Sequence, residues 1–190
     1  MNLANKITIV RALLIPFFII LVIYYSSTGL GVLRLLAIAI FLASALTDAV
    51  DGYIARVRRQ RTRLGTFLDP MADKLLLISA FVTLSMAKRF PIIPIWVPIV
   101  VISRDVIIVL GLVIIHMVAG SVKIAPNMLG KVNTFFQMVA IAFVLFKVPF
   151  SGPIWITIWG LVAIFTIVSG VGYIIRDSKY LNEQRTYGTK

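Results

Sequence analysis

Four aspartates carry the chemistry that this chain can be expected to perform. They stand in the run Asp48-x2-Asp51-Gly52-x2-Ala55-Arg56-x8-Gly65-x3-Asp69-x3-Asp73 and are four of only seven acidic residues among 190. On helices, the i,i+3 pair Asp48/Asp51 and the i,i+4 pair Asp69/Asp73 each occupy one side. Converging carboxylates in apolar surroundings repel one another or take up protons unless cations neutralise them. Divalent cations do this, and an all-oxygen donor set selects Mg2+, Mn2+ or Ca2+ over zinc or copper. Magnesium keeps coordination positions open for phosphate oxygens, so the expected guest carries phosphate.

Composition removes most competing chemistry. The chain has no cysteine, which excludes disulfides, thiolate metal sites and cysteine nucleophiles. Its single histidine, His116, cannot build a zinc cage alone. The formal charge of +12 would suit nucleic acid, but the basic residues are strung between apolar runs. They fit anionic membrane lipids instead, and no nucleic-acid partner is expected.

With 60% apolar residues, 14% charged residues and a mean hydropathy of +1.01, the chain reads as an all-α integral membrane protein. Six apolar segments have spanning length: Thr8–Tyr25, Leu33–Arg56, Gly65–Ala87, Ile92–Val118, Asn127–Phe146 and Pro153–Ile175. Short joining loops, no internal repeat and no low-complexity linker lead us to expect a single domain over residues 1–190. The first segment resembles a signal peptide, but no small-residue cleavage site follows it. It is expected to remain as a helix.

The basic residues set the expected orientation. Lys6, Arg11, the cluster from Arg56 to Arg63, Lys123, Lys131, Arg176, Lys179, Arg185 and Lys190 fall on one side. The other side receives Arg34, Lys88, Arg89 and Lys147. That asymmetry predicts six transmembrane helices with both termini cytoplasmic, in an inner membrane. Tyr24, Tyr25, Trp96 and Trp155 then lie near the outer interface, where amphipathic rings are favoured.

Helix length fixes the depth of the acids. Leu35–Thr47 covers only about 20 Å of a hydrocarbon core roughly 30 Å thick, so the second helix must continue through Asp48 and Asp51. Leu75–Ala87 is equally short, which places Asp69, Asp73 and Lys74 on the third helix near the inner boundary. A solvated cluster of acids paired with arginines is the bland alternative, but Arg58, Arg59, Arg61 and Arg63 fall in the loop and exposed ion pairs are weak. Gly52 and Gly65, costly within helices, suggest close approach to the backbone, by substrate or by a neighbouring helix.

The run from Asp48 to Asp73 resembles, at all eight positions, the signature of the CDP-alcohol phosphatidyltransferases, membrane enzymes that join a CDP-activated group to an alcohol. The likeness extends over essentially the whole chain. The family's amino-terminal element, Pro-Asn-x-x-Thr-x-x-Arg, is represented by Ala4-Asn5-Lys6-Ile7-Thr8-Ile9-Val10-Arg11, without its proline. The resemblance implies that Asp48, Asp51, Asp69 and Asp73 hold metal, Mg2+ or Mn2+ and two ions. It implies that Asp73 also takes the proton of the acceptor hydroxyl. Asp48, Gly52, Ala55, Arg56 and Gly65, with Asn5 and Thr8, would bind the cytidine nucleotide of CDP-diacylglycerol, and CMP would leave. A homodimer is implied in the same way.

The acceptor is expected near Arg104 and Asp105, a charge pair in mid-span of the fourth helix, and Lys131 at the start of the fifth. Within the family the chain most resembles the bacterial members that use glycerol 3-phosphate. Asp105 stands where glutamate is common and Asn133 where a second lysine is common. Both departures are similar to the CMP-forming members that use phosphatidylglycerol, which remain the alternative. From another class, a cation-binding transporter is the competing reading, though the internal repeats and broken helices usual there are absent from the sequence. A catalytically dead scaffold is disfavoured by the intact signature. His116 is read as an interfacial residue, and Ser169, Gly170 and Gly172 as small residues for close helix packing.

Overall fold

Helix accounts for all the regular structure among the described residues of the computed structural model, and each expected segment forms one. These are α1 (Leu3–Thr28), α2 (Gly31–Arg58), α3 (Arg63–Met86), α4 (Trp96–Ala119), α5 (Met128–Leu145) and α6 (Gly152–Tyr187). The structure describes residues 3–58, 63–119 and 128–187; for 3–9, 48–58, 63–73, 112, 114–116, 118–119, 174 and 176–187 it describes the backbone alone.

The helix ends differ from expectation for local reasons. The fourth helix starts at Trp96 rather than Ile92. Pro91 and Pro94 lack an N–H and push the residues before them out of helical conformation. The sixth helix runs on to Tyr187, well past Ile175 where the apolar run ends, because the polar residues that follow are mostly good helix formers.

Two C-termini close with a left-handed residue. Gly29 (φ 77°) donates to the Tyr25 carbonyl at 2.9 Å, ending α1. After α5, Lys147 donates to the Val144 carbonyl (3.0 Å) and Val148 to the Phe143 carbonyl (3.1 Å), the double bond pattern of a Schellman motif. Here the left-handed position belongs to Lys147 (φ 52°), a conformation that costs a side-chain-bearing residue roughly 1–2 kcal/mol.

The chain divides into two compact units, Met1–Ile93 with Ile141–Pro149, and Pro94–Ala140 with Phe150–Lys190. In the first, α1 packs against α2 and α3, which also touch each other. Phe18 and Val22 of α1, Phe41 of α2, and Phe81 and Leu84 of α3 are buried there. Ala37 and Ala80 are also fully covered, and small residues of this kind let helix backbones approach. In the second unit α4 packs against α6. The buried positions Val97, Val101, Arg104 and Ile108 on α4, and Trp159, Val162, Thr166 and Ser169 on α6, recur every three or four residues and so mark one stripe per helix.

The distribution of polarity is inverted relative to a water-soluble bundle. Leu13, Phe17, Ile20, Ile164, Ile167 and Val171 are exposed, whereas Arg104, Asn133, Gln137, Thr166 and Ser169 are buried. Val10–Thr28, Met128–Leu145 and Gly152–Tyr173 are long and apolar enough to cross a membrane. Gly31–Thr47 on α2 and Lys74–Met86 on α3 are further apolar stretches among the described residues. These features point to a membrane protein.

Candidate active site

The aspartates lie on two adjoining helices of the first unit. α2 is helical through Asp48, Asp51, Gly52, Ala55 and Arg56 before it ends at Arg58, and α3 is helical from Arg63 through Gly65, Asp69 and Asp73. The i,i+3 and i,i+4 spacings therefore become neighbouring positions one turn apart on each helix. The side chains of these eight residues, and those of Asn5 and Thr8 on α1, lie outside the described residues, as do Lys123 and the side chain of His116. As a donor set, four carboxylates at helical spacing suit a hard divalent cation.

Residues bordering the aspartates are firmly seated. On α3, Leu76 and Leu77, three and four residues beyond Asp73, are buried. On α2, one turn before Asp48, the Ser44 hydroxyl is buried without a hydrogen-bond partner among the described residues, and Thr47 donates back to the Ala43 carbonyl at 2.7 Å. Arg11, the arginine of the amino-terminal element, is only 3% exposed. An arginine buried this deeply in α1 is placed for a specific polar role rather than for solvation.

The second unit holds the residues expected at the acceptor, and it brings Arg104 and Asp105 together. Arg104 Nη1 meets Asp105 Oδ1 at 2.6 Å, and Arg104 Nη2 donates to Ser169 Oγ on α6 at 2.6 Å. The guanidinium also lies 5.5 Å from the Tyr173 ring centroid, a cation–π distance. Glycines make room for it. A Cβ on Gly170 would come within 3.2 Å of Arg104 Cγ, and one on Gly130 within 3.5 Å of Arg104 Nη2. Lys131, the next residue along, is exposed.

A further polar chain runs beside this pair and was not anticipated from sequence. Gln137 Nε2 donates to Thr166 Oγ1 (3.1 Å), and Thr166 Oγ1 donates to Asn133 Oδ1 (3.0 Å). Thr166 and Ser169 are one turn apart on α6, so Asn133 and Arg104 are anchored to the same face. Two buried donors remain without an acceptor among the described residues, Asn133 Nδ2 and Arg104 Nε. Buried donors of this kind are costly unless a ligand or water satisfies them. The recurring polar positions Thr166, Ser169 and Tyr173 in the largely apolar stretch Gly152–Tyr173 of α6 were the signal available in the sequence.

The sequence profile described as CDP-alcohol phosphatidyltransferase matches residues 1–171, a range that contains the whole aspartate run, Arg104, Lys131 and Ser169. The chain belongs to the CDP-alcohol phosphatidyltransferase family. As a CDP-alcohol phosphatidyltransferase it is a transferase enzyme of phospholipid biosynthesis. It is 38% identical to the CDP-diacylglycerol–glycerol-3-phosphate 3-phosphatidyltransferase of Bacillus subtilis, over 93% of this chain and 95% of that one. A probable phosphatidylglycerophosphate synthase of Mycobacterium tuberculosis is 35% identical over 92% of this chain and 81% of its own length. The Rickettsia felis protein that shares the Bacillus name is 32% identical over 94% and 97%. These relatives do not favour the transporter reading, nor phosphatidylglycerol as acceptor.

Proposed function

We propose that this CDP-alcohol phosphatidyltransferase transfers the phosphatidyl group of CDP-diacylglycerol to glycerol 3-phosphate, releasing CMP and forming phosphatidylglycerophosphate. The observation that carries this reading is the identity of 32–38%, over nearly the full chain, to proteins named for that reaction in separate bacterial lineages.

Asp48, Asp51, Asp69 and Asp73 are the residues that would hold divalent metal, two ions of Mg2+ or Mn2+. Such ions, when bound, neutralise pyrophosphate oxygens and stabilise the leaving phosphate. Asn5, Thr8, Gly52, Ala55, Arg56 and Gly65 receive the cytidine nucleotide, the small residues by leaving room and Arg56 by meeting phosphate charge. Asp73 accepts the proton of the acceptor hydroxyl as its oxygen bonds to the lipid-bearing phosphorus. The bond from that phosphorus to the CMP oxygen breaks, and CMP departs with the electron pair.

Arg104 and Lys131 attract the phosphate of glycerol 3-phosphate, and Asp105 orients Arg104 through their ion pair. Arg104 Nε and Asn133 Nδ2, without an acceptor among the described residues, are donors of the type from which a phosphate oxygen accepts. The protein crosses an inner membrane six times as one domain, with both termini and the aspartates on the cytoplasmic side, and works as a homodimer among anionic lipids. The lopsided distribution of lysine and arginine supports that orientation.

The test is CMP release from purified protein supplied with CDP-diacylglycerol and Mg2+, with glycerol 3-phosphate, phosphatidylglycerol, serine and inositol phosphate offered in parallel. Release that depends on glycerol 3-phosphate supports the proposal. Release with another alcohol alone overturns the acceptor, and release with none overturns the reaction.

A further inference from the structure

Four cations gather around the last turn of α1 in the first unit, at the end away from the aspartates. Lys147 Nζ donates to Tyr25 Oη at 3.1 Å and lies 5.6 Å from that ring's centroid. Arg34 Cζ lies 6.0 Å from the same centroid. Arg89 Nε donates to the Ser26 carbonyl at 3.0 Å, and its guanidinium covers Gly29, where a Cβ would meet Cζ at 3.0 Å. The neighbouring Lys88 donates its backbone N–H to Ser26 Oγ at 3.1 Å and exposes its side chain.

No carboxylate partners any of the four among the described residues. On α2 the first acid after Arg34 is Asp48, about 21 Å further along the helix axis. Like charges held this close raise one another's energy unless an anion joins them. The carbonyl ends of α1 and α3, and of α5 beside Lys147, attract cations and so account for Lys88, Arg89 and Lys147 in part. They do not account for Arg34. It stands in the first turn of α2, where the helix dipole disfavours a cation and favours an anion, and its Nε is buried with no acceptor among the described residues.

Two further features show that the cluster is held in place. Tyr25, 5% exposed and in edge contact with Phe90 at 5.1 Å, is a fixed post between two of the cations. Lys147 occupies a left-handed position where glycine is the favoured residue, so a lysine is kept there against its backbone preference.

We propose that Arg34, Lys88, Arg89 and Lys147 form a phosphate-anion site that takes the headgroup of an anionic phospholipid, at the end of the first unit opposite the aspartates. The phosphate oxygens would accept from Arg34 and Lys147, while Tyr25 holds those two cations apart. The site is separate from the transfer reaction, and its lipid source rests on the membrane-spanning reading above.

The experiment is native mass spectrometry of the full-length protein in neutral detergent, titrated with phosphatidylglycerol or with phosphatidylcholine, for wild type, Arg34→Gln and Lys147→Gly. The glycine variant removes charge while suiting the positive φ, so its fold is protected. We expect wild type to retain phosphatidylglycerol in preference to phosphatidylcholine, and each variant to weaken that retention about fivefold, the effect of one basic residue near an anionic surface. CMP release, read from the same samples, stays at the wild-type level, so failure of this site and failure of the catalytic reading are told apart. Unchanged lipid retention in both variants overturns the proposal. Displacement of the variant-sensitive lipid by millimolar inorganic phosphate overturns the lipid as source.

Discussion

Arg104 on α4 and Ser169 on α6 are joined by a 2.6 Å hydrogen bond buried in the second unit. Because the donor is charged and the site is sheltered, this bond is worth more than an ordinary surface contact. It also fixes the direction in which the guanidinium is presented.

Ser169→Ala is therefore expected to destabilise the protein by about 1.5–3 kcal/mol, the usual loss for a hydrogen bond to a charged group. It should raise KM for the phosphate-bearing acceptor more than it lowers kcat, with Ser169→Thr restoring most of the loss. Thermal melting in detergent and steady-state kinetics at varied acceptor concentration check both parts. An unchanged KM would leave Ser169 a packing residue only.

Gly170→Ala probes the same guanidinium from its aliphatic side. The added methyl would sit 3.2 Å from Arg104 Cγ, tight enough that the arginine stem must shift. Overpacking of this kind costs about 1–3 kcal/mol. The melting temperature should fall and the acceptor KM should rise, whereas the KM for CDP-diacylglycerol should change little.

Asp69→Asn and Asp73→Asn test the first unit. Removal of one preorganised charge from a site that stabilises a transition state costs about 10²–10³-fold in kcat. CMP release should fall by at least that much in either variant, with the elution profile of the detergent-solubilised protein unchanged. Asp73→Asn should still bind Mn2+, read by the loss of the free-ion paramagnetic signal, because three carboxylates remain.

Chelation with EDTA should stop CMP release, and Mg2+ or Mn2+ should restore it while Zn2+ does not. The expectation follows from an all-oxygen ligand set, which suits hard octahedral cations and not a tetrahedral nitrogen or sulfur binder. Restoration by Zn2+ alone would point to a different donor set.

The sequence makes the helices legible because apolar runs of spanning length, broken by Gly, Pro or charge, admit few other readings. It is less informative at helix ends. Pro91 and Pro94 delay α4, and the helix-forming tail of α6 carries it to Tyr187, since local backbone preference decides both rather than hydropathy. The helical placement of the aspartate run is legible because it depends on local sequence alone. Partners distant in sequence are not: Ser169 reads as a small packing residue until the fold places it against Arg104, 65 positions away. The same holds for Thr166, which joins Gln137 and Asn133 across two helices.

The length of α6 has a practical use. Its 36 residues extend about 54 Å, whereas a hydrocarbon core is roughly 30 Å thick. On the proposed membrane-spanning arrangement, a single unbroken rod continues for several turns past the lipid boundary. A fluorescent protein fused after Tyr187 would be carried clear of the bilayer surface on a stiff stalk, a ready-made handle for imaging the enzyme in living cells.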